Sequence, residues 1–242
     1  MSGNLVYIGD VHLDRGQPEV DEFLAFLESL VLTTSRIVLM GDLFNIWLGR
    51  REMEQEHHHA VIRTFRELRQ RGVVVRYVEG NRDYRIGPLY TGDALDDCSN
   101  QGLVDHFGGH SIFAIHGDLV NRADRQYRYW RAFSRSGLIW GVFNLVPEKS
   151  RLKLAEALAQ RMGGTNLAYK GEFPEAAIRE YSQQCMAAGH DIVVLGHFHV
   201  ERLLQLTVEG DERRIFVLPE WKGSRRHLQI SPDGQARMVS SG

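Results

Sequence analysis

The sequence predicts a layered α/β fold with buried parallel strands at its centre. Three observations carry this reading. Short apolar runs recur, each closing on glycine and polar residues. Helical patterns lie between several of them, the alternation expected of layered α/β architecture. The runs are continuous in apolar character rather than alternating, which suits strands covered on both faces.

The first run, Leu5-Val6-Tyr7-Ile8, leads into Gly9-Asp10-Val11-His12. A helix over 18–32 follows. Phe23, Phe26, Leu27 and Leu30 recur there at helical spacing, and acids near its start suit a helix N-terminus. The second run, 36–40, leads into Gly41-Asp42. A helix over 59–71 then places Ile62, Phe65 and Leu68 on one face and stops at Gly72. His57-His58-His59 stands at its beginning and reads as a solvated helix start, because three consecutive helical side chains point in different directions. The third run, 73–78, leads into Gly80-Asn81-Arg82-Asp83, and the fourth, 111–115, into His116-Gly117-Asp118. A helix over 172–188, entered at Pro174 and closed by Gly189, precedes Ile192-Val193-Val194-Leu195 and Gly196-His197-Phe198-His199. Beyond residue 200, the segments 203–208, 213–218 and 227–230 read as antiparallel strands punctuated by turns at Gly210-Asp211 and Pro232-Asp233-Gly234.

Residues 119–166 break this rhythm: they carry helical signals and no strand signal. Arg122, Arg125, Arg128, Arg131, Arg135, Lys149, Arg151, Lys153 and Arg161 outnumber Asp124, Glu148 and Glu156. Tyr127, Trp130, Phe133, Leu138, Ile139, Trp140 and Phe143 accompany them, so the segment reads as a basic, aromatic helical insertion.

At 242 residues the chain has the length of one large domain, or of one carrying an insertion. Its 43% apolar and 25% charged residues are globular proportions that exclude disorder and collagen-like order. The formal charge of −2 argues against a global electrostatic grip on nucleic acid, and none is expected as a partner. Cys98 and Cys185 stand far apart, in no disulfide framework and no metal-like spacing. No apolar run reaches the roughly 18 residues of a membrane span. Met1-Ser2-Gly3-Asn4 lacks the basic start of a signal peptide, so a cytoplasmic location is expected.

Chemistry enters at the strand ends. Asp10 and His12, Asp42, Asn81, His116, and His197 and His199 each follow a predicted strand, and in a layered α/β sheet such loops converge on one crevice. Seven oxygen and nitrogen donors exceed what one ion needs but suit two ions sharing a carboxylate. Two such ions about 3.5–4 Å apart activate water and clamp a phosphoryl oxygen. Imidazole mixed with carboxylate and amide favours manganese, iron or zinc over calcium. His106 and His110, outside any such pattern, read as surface residues.

The ordered set Asp-x-His, Gly-Asp, Gly-Asn-x-Asp, His-Gly-Asp and Gly-His-x-His resembles that of the calcineurin-like metallophosphoesterases, from Asp10 to His199. The resemblance implies a four-layer α-β-β-α sandwich: two packed mixed sheets, flanked by helices, around a dinuclear centre. It implies that Asp42 bridges the ions, that Asp10, His12 and His199 hold one, and that Asn81, His116 and His197 hold the other. Arg82 stands where the general pattern has a proton-donating histidine. Arginine stays protonated and serves instead as a bidentate phosphate clamp, which suits a leaving group that needs no proton.

Gly41-Asp42-Leu43-Phe44 with Trp47, Gly80-Asn81-Arg82-Asp83, His116-Gly117-Asp118, and Trp221 before Gly223-Ser224 are similar to the UDP-2,3-diacylglucosamine pyrophosphatase branch, which acts in lipid A biosynthesis. The resemblance implies hydrolysis of a lipid-linked nucleotide sugar to UMP and lipid X (2,3-diacylglucosamine 1-phosphate). A metal-bridging hydroxide would attack, two divalent ions (manganese) would serve as cofactors, and Asn81, Arg82 and His197 would stabilise charge. It also implies a single domain over 1–242 with 119–166 as a helical lid over acyl chains, and peripheral contact with the cytoplasmic face of the inner membrane. Substrate contacts would come from Asn81, Arg82, Asp124, Tyr127, Arg161, Thr165, Lys170 and His197, with Asn166 in the same region. A related pyrophosphatase or phosphodiesterase for another nucleotide diphosphate remains the alternative. Acidic residues often follow the branch's Trp-x-Gly, whereas here Gly49 is followed by Arg50-Arg51.

Overall fold

A computed structural model describes residues 3–122, 124–147, 150–151, 153–154, 157 and 173–241. In chain order the strands are β1 (Asn4–Ile8), β2 (Thr34–Leu39), β3 (Trp47–Leu48), β4 (Val74–Val78), β5 (Asp83–Tyr84), β6 (Asp97–Ser99) and β7 (Leu103–Phe107). They continue with β8 (His110–Ile115), β9 (Ile192–Leu195), β10 (Arg202–Val208), β11 (Asp211–Val217), β12 (Arg226–Ile230) and β13 (Ala236–Ser240). The helices are α1 (Glu19–Leu30), α2 (Glu56–Gln70), α3 (Gly87–Tyr90), α4 (Arg125–Ser134), α5 (Gly137–Leu145), α6 (Glu175–Ala187) and α7 (Trp221–Ser224).

Two mixed sheets form the centre, one in the order β13-β12-β1-β2-β4-β6 and the other β10-β11-β9-β8-β7. Period-two alternation along each strand divides its side chains between two apolar layers. Leu5, Tyr7, Val38, Met40 and Val78 of the first sheet meet Ile112, Ala114, Ile192, Val194 and Phe216 of the second. The alternate residues Val6, Ile8, Ile37, Leu39 and Val75 face α1 and α2, through Phe23, Leu27, Ile62 and Phe65. On the far side Val193, Leu195, Ile215 and Val217 pack on Ile178 and Met186 of α6. The architecture is therefore the expected α-β-β-α sandwich.

The parallel register matters most for function. Ile8 pairs with Leu39, Leu39 with Tyr77, and Ile115 with Leu195. The carboxyl ends of these strands thus lie in line within each sheet, and the polar clusters that follow them emerge along one edge.

Two features depart from expectation. α2 begins at Glu56, so the histidine triplet lies inside its first turn, and only His59 is exposed. His57 and His58 are buried. Helix capping explains this: His58 Nδ1 accepts the backbone N–H of Gln55 at 3.1 Å, and its ring packs 4.2 Å from Phe44. The triplet is not a solvated helix start. Strands β3, β5, β6, β7 and β13 also form where no strand was expected. In β7 the interruption is Asp105, a fully buried carboxylate that Tyr7 Oη reaches at 3.0 Å and that Arg36 and Arg76 neutralise. Among the described residues, no helix is long and apolar enough to cross a membrane.

Candidate active site

The loops after β1, β2, β4, β8 and β9 bring the seven expected donors together. Asp10, Asp42, Asn81 and His116 are buried, while His12, His197 and His199 are half-buried. Four of them take left-handed backbone conformations unusual for residues with a Cβ: His12 (φ 53°), Asp42 (φ 49°), His197 (φ 71°) and His199 (φ 55°). Such residues cost on the order of 1 kcal/mol each, so strain is concentrated where the side chains converge. The glycines of the motifs permit the convergence. A Cβ on Gly41 (φ 89°) would lie 2.6 Å from the Gly80 nitrogen and 2.8 Å from His116 Nδ1, and one on Gly80 would strike the Asp42 carboxylate.

The donors fall into two groups that share a carboxylate. Asp10 Oδ1 lies 3.5 Å from His199 Nε2 and 4.0 Å from His12 Nε2, and those two nitrogens are 3.2 Å apart. It also lies 4.0 Å from His116 Nε2, which is 3.8 Å from Asp42 Oδ1. Asn81 Oδ1 stands 3.0 Å from both His116 Nε2 and His197 Nδ1. Asp10 Oδ1 thus lies within 4.0 Å of imidazoles from both groups, and Asp42 Oδ1 lies beside His116 in the second. Asp10 Oδ1 is buried with no hydrogen-bond partner among the described residues, while Oδ2 accepts the His197 backbone N–H at 2.8 Å. A buried acceptor ringed by imidazoles fits a divalent cation.

Electrostatics agree with that fit. Burial opposes a charge on His116, yet the Asp42 and Asp10 carboxylates push its pKa up to about 9. Burial raises Asp10, but His116, His199 and His12 outweigh it and hold the carboxyl well below its usual range. Burial, reinforced by the charge of Asp10, raises Asp42. Burial drives His12 down to about 3 and His197 to about 4, so both rings are neutral at physiological pH with a lone pair to give. His116 Nδ1–H donates to the Met40 carbonyl at 2.7 Å, which directs Nε2 at the carboxylates.

Arg82 stands beside this cluster. Its backbone N–H donates to Asp42 Oδ1 at 2.9 Å, its Nε lies 3.6 Å from Asp42 Oδ2, and its Nη1 donates to the Asn45 carbonyl at 3.2 Å. The other expected contacts lie on or beyond α4. Asp124 caps that helix by accepting the Tyr127 N–H at 2.9 Å, and Tyr127 Oη donates to Asp118 Oδ2 at 2.6 Å. Arg161, Thr165, Asn166 and Lys170 lie outside the described residues.

Three residues join the site without having been singled out. Asp83 Oδ2 accepts from the Asp42 N–H, the Gly80 N–H and Tyr77 Oη, each at 2.8 Å. Asp118 receives Arg131 Nε at 2.5 Å as well as Tyr127. Glu220 Oε2 lies 3.4 Å from His199 Nδ1. Asp83 and Asp118 sit inside quoted motifs, a signal for placement but not for role. Glu220 carries no local signal; the Trp221 N–H donating to the Asp10 carbonyl at 2.7 Å brings it there.

No protein-family model matches the chain. Curated relatives match it nearly end to end. A UDP-2,3-diacylglucosamine hydrolase of Chromohalobacter salexigens is 24% identical over 233 residues, which cover 96% of this chain and 94% of that protein. One of Pseudomonas putida is 26% identical over 231 residues, covering 95% and 96%. The chain is similar to the UDP-2,3-diacylglucosamine hydrolases. A solved archaeal phosphodiesterase aligns over 98% of both chains at a TM-score of 0.47 and 8% identity. Those relatives are named hydrolases, and in this chain Asp10, His12 and His199, and Asp10, Asp42 and His116, form two groups that could hold a metal ion.

Proposed function

We propose that the protein hydrolyses the pyrophosphate bond of UDP-2,3-diacylglucosamine, releasing UMP and lipid X. The observation that carries this reading is the position of Arg82, whose guanidinium lies beside the Asp42 carboxylate, where the pattern that this sequence resembles has a proton-donating histidine. Arginine holds its proton at neutral pH, so it suits a nucleotide leaving group that departs as an anion. The names of the curated relatives support the same substrate.

In this reading Asp10, His12 and His199 hold one divalent ion, and Asn81, His116 and His197 the other, with Asp42 between them. Manganese suits the mixture of carboxylate, amide and imidazole. When bound, the ions supply an activated water and neutralise charge on the phosphoryl group. The chain's own residues orient that group: Arg82 by a two-pronged grip, Asn81 and His197 by hydrogen bonds to its oxygens as negative charge develops. Asp83 holds Asp42 and the Gly80 loop in place.

The single domain carries residues 119–166 as its lid, with Asp124 and Tyr127 at the root. In α4 and α5, Tyr129, Trp130, Phe133, Leu138, Val142 and Leu145 are exposed, apolar surface of the kind that covers acyl chains or rests on the cytoplasmic face of a membrane. Trp140 is an exception, being 7% exposed and packed between Arg50 and Arg85.

Incubating the protein with UDP-2,3-diacylglucosamine and manganese, and following UMP release, tests the assignment. Release of UMP with lipid X is the expected result. Hydrolysis of simple phosphodiesters together with inertness toward this substrate overturns it and leaves a phosphodiesterase for another nucleotide.

A further inference from the structure

A cleft lined by none of the clustered donors lies at the end of a two-stranded ribbon. The two-stranded parallel ribbon β3–β5 begins beside Arg82, whose carbonyl accepts the Trp47 N–H at 2.9 Å, and ends at Gly49, whose N–H donates to the Tyr84 carbonyl at 2.8 Å. At that far end Arg50, Arg85, Pro88, Leu89, Trp140 and Asn144 line an open cleft of about 320 Å³, within the range of small-ligand sites.

Its walls offer donors in excess. The Arg50 guanidinium lies 5.5 Å from the Trp140 ring centre and that of Arg85 lies 5.6 Å away, so two cations share one indole. Arg50 Nε and Trp140 Nε1 are both buried with no hydrogen-bond partner among the described residues. Buried N–H groups are normally satisfied, and both of these orphans belong to residues that line one cleft. Charge points the same way. Glu52 is the carboxylate within reach, 3.0 Å from Arg50 and 3.1 Å from Arg151, and no acid pairs with Arg85 among the described residues. Glu52 thus answers two guanidinium groups, and the third, Arg85, has no acidic partner among the described residues. Pro88 and Leu89 give the site apolar edges.

We infer that this cleft binds an oxyanion, a phosphate or carboxylate group, on Arg50, Arg85 and the Trp140 indole N–H. The site is separate from the phosphate chemistry at Asp42 and does not depend on the substrate proposed above. A second anionic group on a substrate, or a free anion, presents the same chemistry.

The indole Nε1–H resonance of Trp140, in the ¹⁵N-labelled full-length protein, reports occupancy locally. Inorganic phosphate and acetate serve as separate probes. Saturable displacement of that resonance is expected, with phosphate alone marking a phosphate site and both probes marking a general oxyanion site. Arg85→Gln, at an exposed position where folding is not at risk, should weaken the apparent affinity about tenfold, since charge-assisted hydrogen bonds are the strong ones. Arg50→Gln should act alike, and Asn81→Ala, in the other site, should leave the titration unchanged. A Trp140 resonance indifferent to both anions overturns the inference, as does equal binding in Arg85→Gln. A resonance moved by decyl maltoside but not by phosphate overturns it in favour of an alkyl chain.

Discussion

Asp83 holds Asp42 by its backbone: one carboxylate oxygen of Asp83 accepts the Asp42 N–H at 2.8 Å, and the same oxygen gathers the Gly80 N–H and the Tyr77 hydroxyl. Burial and the Asp42 charge push the Asp83 pKa up to about 7, yet three donors converge on it. Asp83→Ala would leave all three unpaired in the interior. A loss of about 2–4 kcal/mol of stability is expected in urea denaturation, with metal affinity about 10–100-fold weaker in a binding isotherm. Unchanged values in both measurements would remove Asp83 from a supporting role.

The two aspartates among the proposed ligands can be told apart. Asp10 Oδ1 touches both donor groups, whereas Asp42 Oδ1 approaches His116. Asp42→Ala and Asp10→Ala should each lower turnover by several orders of magnitude. Elemental analysis discriminates between them: the variant of the bridging residue retains at most one ion per chain, and the other retains more. Two firmly held ions with normal turnover in Asp42→Ala would remove Asp42 from the bridging role.

Arg82→Lys keeps the charge and loses the fork. Its expected cost is on the order of 10²-fold in kcat, the scale of removing one oriented donor from a transition state. The shape of the pH–rate profile should persist, lowered throughout, because Arg82 donates no proton. Wild-type kinetics in Arg82→Lys would exclude the clamp.

The lid has its own test. Leu138 is 74% exposed and Phe133 54%, so serine at Trp130, Phe133 and Leu138 should leave the thermal midpoint within a few degrees. Each methylene covered by the lid contributes about 0.8 kcal/mol, so the triple variant should lower kcat/KM for the diacylated substrate at least about tenfold. Hydrolysis of a small phosphodiester should be unaffected. Equal losses on both substrates would show that α4 and α5 play another part.

Stability should fall in mild acid for a reason outside the active site. Burial drives His58 down to about 3, and burial together with Arg226 drives His227 to about 4. Above pH 6.5 both rings are neutral whether the chain is folded or not. Between pH 6.5 and 4 the unfolded chain binds protons that the folded chain refuses, so stability declines as pH falls through that window. One pKa unit corresponds to about 1.4 kcal/mol, which makes the slope measurable by denaturation at several pH values. His227→Gln should flatten it; an unaltered slope would remove His227 as a cause.

Much of the fold was legible because its central strands are continuous apolar runs, such as Ile37 to Met40, buried on both sides. The strands that escaped notice are short or broken by charge, and β7 is readable only once Arg36, Arg76 and Tyr7 are known to surround Asp105. In the site, Asp10, His12, Asp42, Asn81, His116, His197 and His199 were visible because each follows a strand. Their partition was not visible, since it depends on side-chain distances between loops. His57 and His58 were misjudged because capping and the Phe44 ring are tertiary facts. Glu220 lay hidden because its partner His199 is reached through space.

His12 and His199 face each other across 187 residues of sequence. At roughly 5–20 residues per second of synthesis, about 10–40 s separate their appearance on the ribosome. Through that interval Asp10, Asp42 and His12 exist as a half-built set, without the imidazoles that complete it. In the proposed reading the full donor set would exist only after β9 has docked beside β8. A cation bound to the early carboxylates would sit there without His197 and His199.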